Sequence, residues 1–548
     1  MPVSFDFKRL MRPVSQQRLT LMTALFLALF GNGAFFANVL KVYPLNFANA
    51  FFIASLFLVL VTVTFLLLTL VSGRYTTKPV LMTVLAVSSA TGYFMGTYNV
   101  VIDDGMIQNI VQTNVEESAD LLSVSLFMRL LFFGALPVLY VYRVPIRYRS
   151  WRKELKAKLL GAGISLALIG FLLFAFSQFY ASFFREHKPL RYYTNPTYWI
   201  YSIGHYLAKN TAAGPVTVRA IGTDAKVAPE PADEADLKEL VVLVVGEAAR
   251  ADRFSLNGYP RATNPMLEKE NGLVNFTNMS SCGTSTAVSV PCMFSLFGKE
   301  EYDEEKGRST ENILDILVHT GSVEVLWRDN NSDSKGVALR VPFEDFRTPA
   351  KNPVCDEECR DEGMLAGLDD YIARHRDKDM LIVLHMMGNH GPAYYKRYPK
   401  SFELFTPVCE TNQLEECTPE SIGNAYDNAI RYTDYFLAKV IAFLKPYSKD
   451  YETAMFYISD HGESLGESGL YLHGLPYFMA PETQTHVASM VWFDGAIAED
   501  IDRDALRGYR TRAFTQDNLF HSLLGLFEVE TDLYDPEQDM LHDATIPE

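Results

Sequence analysis

Apolar residues fall along this chain in two different patterns, and the change between them divides it. Five stretches in the first third are unbroken enough to cross a lipid core, which takes about 20 residues: Leu19 to Leu40, Phe51 to Val71, Pro79 to Val100, Leu121 to Tyr142 and Leu159 to Ala181. From Leu237 onward the apolar runs shorten to strand length: Leu240 to Val245, Val323 to Trp327, Met380 to His385, Ala454 to Ile458 and Ala488 to Phe493. Helical patterns fall between them, at Asn312 to Thr320, Gly363 to Arg374 and Ser421 to Leu444. Short buried strands alternating with helices predict a mainly parallel sheet with helices on both faces. The expected architecture is a five-span membrane domain over 1–181, a linker over 182–236 and an α/β domain over 237–548.

Charge orients the spans. Lys8, Arg9, Arg12 and Arg18 precede the first, Arg74 and Lys78 follow the second, and Arg143, Arg147, Arg149, Arg152, Lys153, Lys156 and Lys158 lie between the fourth and fifth. These loops are expected in the cytoplasm. Asp103, Asp104, Glu116, Glu117 and Asp120 leave the loop after the third span acidic, so it and everything beyond the fifth span are expected outside. No small-residue cleavage site follows the basic start, so the first span is read as retained. The linker begins with Phe183, Phe184, Tyr192, Tyr193, Tyr198, Trp199 and Tyr201, aromatics that suit a membrane interface, and ends in Pro, Ala, Asp and Glu.

The cysteines agree with export. All six lie in the second half, as Cys282 with Cys292, Cys355 with Cys359, and Cys409 with Cys417. Close pairs in an exported domain read as short-loop disulfides, with other connectivities open. Metal binding by Cys355 and Cys359 is disfavoured, because two thiolates do not close a zinc site. A net charge of −17 gives no reason to expect a nucleic-acid partner.

Candidate chemistry collects where apolar runs end. Glu247 follows the first run, Asp460 and His461 follow the fourth, and Thr284 lies in Cys282-Gly-Thr-Ser. In open α/β sheets ligands gather beyond the carboxyl ends of strands. Two carboxylates and an imidazole suit Zn²⁺, and a threonine hydroxyl gains nucleophilicity beside a metal. Ser285 to Ser289 is expected to open a helix, whose free N–H groups favour phosphate. Each residue alone has an ordinary reading as a turn, a helix-start carboxylate or an N-cap. His390 in Gly388-Asn-His-Gly-Pro and His473 in Leu472-His-Gly-Leu-Pro change that weighing, since such loop histidines suit a second metal or bound phosphate. His385, His319 and His375 are read as structural.

These residues stand in longer motifs: Val245-Gly-Glu-Ala-Ala-Arg, Phe254-Ser-Leu-Asn-Gly-Tyr-Pro-Arg, Ser281-Cys-Gly-Thr-Ser-Thr-Ala-Val-Ser-Val-Pro-Cys-Met-Phe-Ser and Ser459-Asp-His-Gly-Glu-Ser-Leu-Gly-Glu. With five spans and an interfacial linker, the whole chain resembles the lipid A phosphoethanolamine transferases, which include the mobile colistin-resistance enzymes, within the alkaline-phosphatase-like superfamily. The resemblance implies a Gram-negative inner-membrane enzyme with a periplasmic, sulfatase-like catalytic domain. It implies tightly bound Zn²⁺ on Glu247, Thr284, Asp460 and His461, and phosphoethanolamine carried on Thr284. His390, His473 and Lys335 are implied as contacts to phosphate or, for the histidines, a second zinc.

Asn109, Thr113 and Glu117 match residues that bind the donor's ethanolamine, and their spacing aligns them on one helical face. Phosphatidylethanolamine is the implied donor, lipid A the acceptor, polymyxin resistance the outcome, and the protein is read as a monomer. The acceptor phosphate, or a core sugar in its place, stays open. Many members have cysteines where this chain has Ser334 and Ala338, so the loop around Lys335 lacks a bridge those members have. A glycerol-phosphate transferase of the lipoteichoic acid type is disfavoured by the paired cysteines and the Asn109, Thr113, Glu117 row. A sulfatase is disfavoured because neither Cys282 nor Cys292 starts a formylglycine motif. A non-catalytic receptor is disfavoured by the intact ligand set.

Overall fold

A computed structural model describes residues 12–113, 115–212, 217–228 and 237–546. Lys8, Arg9 and the acidic stretch 229–236 lie outside the described residues. The chain forms two compact units, Met1–Ile107 with Leu122–Ala208, and Gln108–Leu121 with Lys209–Glu548. The second unit therefore recruits a short segment from between two spans.

The first unit is helical. α1 (Gln16–Phe30) and α2 (Gly33–Val42) together make one apolar stretch bent by 54°. Asn32 sits in the bend, and its side-chain amide donates to the carbonyls of Leu27 and Asn195 at 2.8 and 2.6 Å. α3 (Phe47–Val71) and α4 (Thr77–Thr97) follow. α5 (Asp104–Gln112) and α6 (Val115–Asp120) connect them to α7 (Val124–Arg143) and α8 (Trp151–Ala175). Among the described residues, four helices are long and apolar enough to cross a membrane, or five if the bent pair is one span.

The fifth span differs from expectation, starting at Trp151 and ending at Ala175 rather than running from Leu159 to Ala181. Its first two turns are rich in Lys, Leu and Glu, good helix formers that an apolar pattern does not register. Phe176, outside helical geometry, separates it from α9 (Ser177–Arg185). The aromatic part of the expected linker is also helical in α10 (Thr197–Ala212), where Trp199 donates to Asn195 Oδ1 at 3.1 Å.

Among the described residues the second unit is built on one sheet of eight strands: β1 (Lys238–Gly246), β2 (Leu273–Ser280), β3 (Val323–Asp329), β4 (Phe343–Asp345), β5 (Asp379–His385), β6 (Tyr451–Ser459), β7 (His486–Asp494) and β8 (Phe514–Thr515). Their order is β8-β2-β7-β6-β1-β5-β3-β4. β7 runs antiparallel to both neighbours, and the other pairs are parallel.

Central β1 shows why such strands read as continuous apolar runs, since both of its faces are covered. Val241, Leu243 and Val245 pack on one side with α11 (Thr286–Met293), α12 (Ile313–His319) and α15 (Asn518–Leu526), while Leu240, Val242 and Val244 pack on the other with α13 (Leu368–Arg374) and α14 (Pro419–Leu444). The cysteines are bridged as Cys282–Cys292, Cys355–Cys359 and Cys409–Cys417, the nearest-neighbour pairing expected.

Candidate active site

Register brings the first three candidate residues together. β1 and β6 pair in parallel with Gly246 opposite Ser459, so Glu247 and Asp460 leave adjacent strands side by side. Ala248 then turns through a positive φ of 54°, a conformation that costs a non-glycine residue free energy. Its N–H compensates by donating to Asp460 Oδ1 at 3.0 Å. Ser459 Oγ accepts from the Ala249 N–H at 2.8 Å and donates to the His461 carbonyl at 3.1 Å, fixing both strand exits. Gly462 is demanded by close approach: a Cβ there would lie 2.2 Å from the Thr483 carbonyl oxygen.

Glu247, Asp460 and His461 are fully buried. His461 Nε2 lies 3.3 Å from Glu247 Oε1 and 3.4 Å from Asp460 Oδ2. The ligand atoms of the three all lie within 4.8 Å of one another. Glu247 Oε1 and Asp460 Oδ2 have no hydrogen-bond partner, although buried carboxylate oxygens are costly to leave so. The second oxygen of Glu247 is held by Asn331 Nδ2 at 2.8 Å and by the Thr286 hydroxyl at 3.1 Å. His461 Nδ1 lies 2.8 Å from the Gly462 carbonyl, which leaves Nε2 turned toward the two orphaned oxygens.

The electrostatics express the same deficit of positive charge. Burial opposes a charged imidazole, yet Asp460 and Glu247 hold His461 up to about 10. Burial and Glu247 push Asp460 up to about 6. Burial works to raise Glu247 too, but the His461 imidazole outweighs it and keeps the carboxylate well below its usual range. Two carboxylates in a dry pocket need a cation, and a proton on the imidazole supplies only one charge. The donor set, oxygen with imidazole nitrogen and with two oxygens unpaired, fits a divalent metal such as zinc.

Thr284 precedes α11, whose N-cap is Ser285. Its hydroxyl donates to the Leu475 carbonyl at 2.6 Å, and its carbonyl accepts from the Gly474 N–H at 2.8 Å. The residue before that clasp is His473, whose ring lies 4.1 Å from that of His461 and 6.0 Å from that of His390. His473 Nδ1 lies 3.3 Å from Glu463, a fully buried carboxylate. His390 reaches the group from a loop that needs Gly388, where φ is +50° and a Cβ would lie 3.0 Å from the Glu247 carbonyl oxygen.

Other expected residues lie apart from this cluster. Lys335 lines a cavity of about 300 Å³ with Gln108, Gln112, Ser295 and Arg340. The row Asn109, Thr113 and Glu117 is not one continuous helical face. α5 stops at Gln112 and α6 starts at Val115, and the Thr113 hydroxyl and N–H both bond back to the Asn109 carbonyl, at 2.6 and 2.8 Å. The side chain of Glu117 lies outside the described residues.

Three contributors were missed from sequence: Thr286, Asn331 and Gln516. Gln516 Nε2 donates to the carbonyls of Ser459 and Asp460 at 2.7 and 2.8 Å, and its Oε1 accepts from the Cys282 N–H at 2.7 Å. Thr286 corrects the expectation for Thr284: the Thr284 hydroxyl is taken by the Leu475 carbonyl, and the hydroxyl on the cluster is that of Thr286, 3.1 Å from Glu247 and 3.4 Å from His461 Nε2, in a Thr-Ser-Thr motif that offers both. His385, read as structural, is fully buried with Nδ1 2.8 Å from Asp329.

Comparison with known proteins agrees with this construction. Residues 60–211 match the family model described as phosphoethanolamine transferase EptA/EptB, and residues 239–529 match the sulfatase model. The chain is 45% identical over 534 residues to phosphatidylethanolamine transferase Mcr-1 of Escherichia coli, covering 95% of this chain and 96% of that protein. It is 44% identical over 517 residues to Mcr-2 of the same species, covering 93% and 94%. The structure of the integral membrane lipooligosaccharide phosphoethanolamine transferase A from Neisseria meningitidis superposes with a TM-score of 0.93 at 35% identity, over 98% of this chain and all of that one. A membrane-helical unit, a sulfatase-like sheet and a buried Glu-Asp-His cluster thus occur together in a chain that belongs to the phosphoethanolamine transferase family.

Proposed function

We propose that this protein transfers phosphoethanolamine from phosphatidylethanolamine to a phosphate of lipid A, through a phosphoethanolamine group carried on Thr286. The observation that carries the reading is the buried cluster of Glu247, Asp460 and His461, with two orphaned carboxylate oxygens, at strand ends and with the Thr286 hydroxyl 3.1 Å from Glu247 and 3.4 Å from His461 Nε2. Glu247, Asp460, His461 and the Thr286 hydroxyl would hold zinc, which supplies a lowered hydroxyl pKa and positive charge against the transferring phosphoryl group.

The chain's own residues then do the rest. Thr286 Oγ1 attacks the donor phosphorus, forming an O–P bond as the bond to the diacylglycerol oxygen breaks and the hydroxyl proton passes to that oxygen. His390 and His473 face the same space and stabilise charge on the phosphoryl oxygens. A lipid A phosphate oxygen next attacks phosphorus, the bond to Thr286 breaks, and its hydroxyl regains a proton. Donor and acceptor are both lipids, which accounts for the apolar helices and for an inner-membrane site with the chemistry on the periplasmic side. The boundaries 1–181, 182–236 and 237–548 are carried forward as the working division.

Adding ethanolamine reduces negative charge at the outer surface, so cationic polymyxins should bind less. The test is mass spectrometry of lipid A from a polymyxin-sensitive Gram-negative host expressing the chain or Thr286→Ala. A phosphoethanolamine increment is expected with the first and none with the second. Unmodified lipid A from a folded, zinc-loaded protein would overturn the acceptor assignment and redirect the search to core sugars.

A further inference from the structure

α6 has little means of finding its place by packing. Its six residues, Val-Glu-Glu-Ser-Ala-Asp, include one large apolar side chain, and a break in the helix precedes it. Charge holds it instead. Asp120, its last residue, is buried; Oδ1 accepts from Lys396 Nζ at 2.6 Å and Oδ2 from Arg397 Nη2 at 2.6 Å. The Asp120 carbonyl accepts from Asn412 Nδ2 at 2.5 Å. Arg397, 3% exposed in its side chain, spends its other donors on the His390 carbonyl at 2.7 Å and on Glu358 at 2.5 Å. Glu358 belongs to the small loop closed by Cys355 and Cys359.

One planar guanidinium therefore fixes three segments: α6, the disulfide loop and the loop that carries His390. A guanidinium does this through donors in a rigid fork, which the single ammonium of lysine does not reproduce. Buried ion clusters are poor sources of net stability, and their best-attested use is to specify register. The register specified here lies between the segment bearing Asn109, Thr113 and Glu117 and the histidine nearest its anchor.

We propose that the Arg397–Asp120 pair, supported by Lys396, is a positioning device for the donor lipid. It sets the distance between the residues that take the ethanolamine ammonium and the loop whose histidine takes the phosphoryl group. The inference rests on the headgroup role proposed for Asn109, Thr113 and Glu117, and extends it to residues that touch no substrate.

The test uses the full-length protein with phosphatidylethanolamine in detergent micelles, following formation of phospho-Thr286 against donor concentration. Asp120→Asn is expected to raise KM for the donor about ten-fold, because small misplacements of a bound group are costly. The maximal rate and zinc content should stay near those of the native protein while the thermal midpoint falls, and Asp120→Glu should recover part of the loss. An unchanged KM, or a fall in maximal rate alone, overturns the proposal. If Asp120→Asn does not fold, Lys396→Gln serves in its place, with a smaller rise in KM expected and an unchanged KM overturning it. Glu117→Gln separates the two readings. If it leaves KM unchanged, the headgroup role fails and the inference falls with it; if it raises KM while the Asp120 and Lys396 variants do not, the positioning role alone fails.

Discussion

Many hydroxyls along the apolar helices and the polar groups of the candidate site are satisfied by different routes. In the apolar helices, hydroxyls bond back within their own turn: Thr20 to the Gln16 carbonyl, Thr23 to Leu19, Thr62 to Leu58 and Thr91 to Val87. At the candidate site the partners are distant in sequence, as with Asn331 to Glu247, Ala248 to Asp460, and Gln516 to both Cys282 and Asp460. Lipid offers no alternative partner, so a spanning helix settles its polar groups locally. A catalytic centre has to gather unlike groups from several strand ends, so its bonds run far along the chain. Local settlement leaves each element replaceable; convergent settlement makes single residues decisive.

Breaking a convergent residue should have the largest effect. Gln516 is fully buried, and its side chain makes three hydrogen bonds to backbone at the exits that carry Cys282, Ser459 and Asp460. Gln516→Leu keeps the volume but strands one N–H and two carbonyls, each costing about 1–3 kcal/mol when left unmet in the interior. The expected loss is about 3 kcal/mol or more, seen as a lower thermal midpoint in detergent, with impaired metal retention because Asp460 is no longer held. A midpoint within experimental error of the native protein would remove the contrast between the apolar helices and the candidate site.

The same contrast explains what the sequence disclosed. β1, β5 and β6 were readable because burial on both faces leaves an unbroken apolar run, and Glu247, Asp460 and His461 were readable because they end such runs. β2 was missed because Leu-Val-Asn-Phe-Thr-Asn-Met-Ser mixes polar residues through its length, and β4 and β8 are too short to show a period. Nothing in a periodicity states strand direction, so the antiparallel course of β7 had no signal. Asn331 and Gln516 look like any polar loop residue until the fold places them 84 and 56 residues from a partner. The row Asn109, Thr113, Glu117 had the right spacing for one helix, but spacing does not reveal that α5 stops at Gln112.

A milder way to sharpen the comparison is acid. Burial tends to raise Asp120, but Arg397 and Lys396 prevail and hold its carboxyl below the ordinary value of 3.8. A carboxylate depressed on folding adds stability above its unfolded value, and that stability is lost as pH falls through the folded one. The window therefore opens below about pH 4. Thermal midpoints of the native protein and Asp120→Asn, measured from pH 6 down to pH 3, should converge as the carboxylate takes up its proton. A constant gap across that range would show that the pair contributes nothing through charge.

The smallest effect is expected where settlement is local. The Thr62 hydroxyl, buried in α3, donates to the Leu58 carbonyl at 2.6 Å. That carbonyl lies within the continuous helix and already accepts the backbone N–H one turn on, so the hydroxyl is a second donor to a satisfied group. Thr62→Val keeps the branched shape and packing, removes the hydroxyl with its bond, and strands no partner. Side-chain hydrogen bonds within membrane helices average about 0.6 kcal/mol, and this one should cost no more. Transfer to lipid A and the thermal midpoint should both match the native protein. A loss comparable to that of Gln516→Leu would mean that the hydroxyl answers to a group beyond its own helix, and that this part of α3, like the candidate site, is held by convergence.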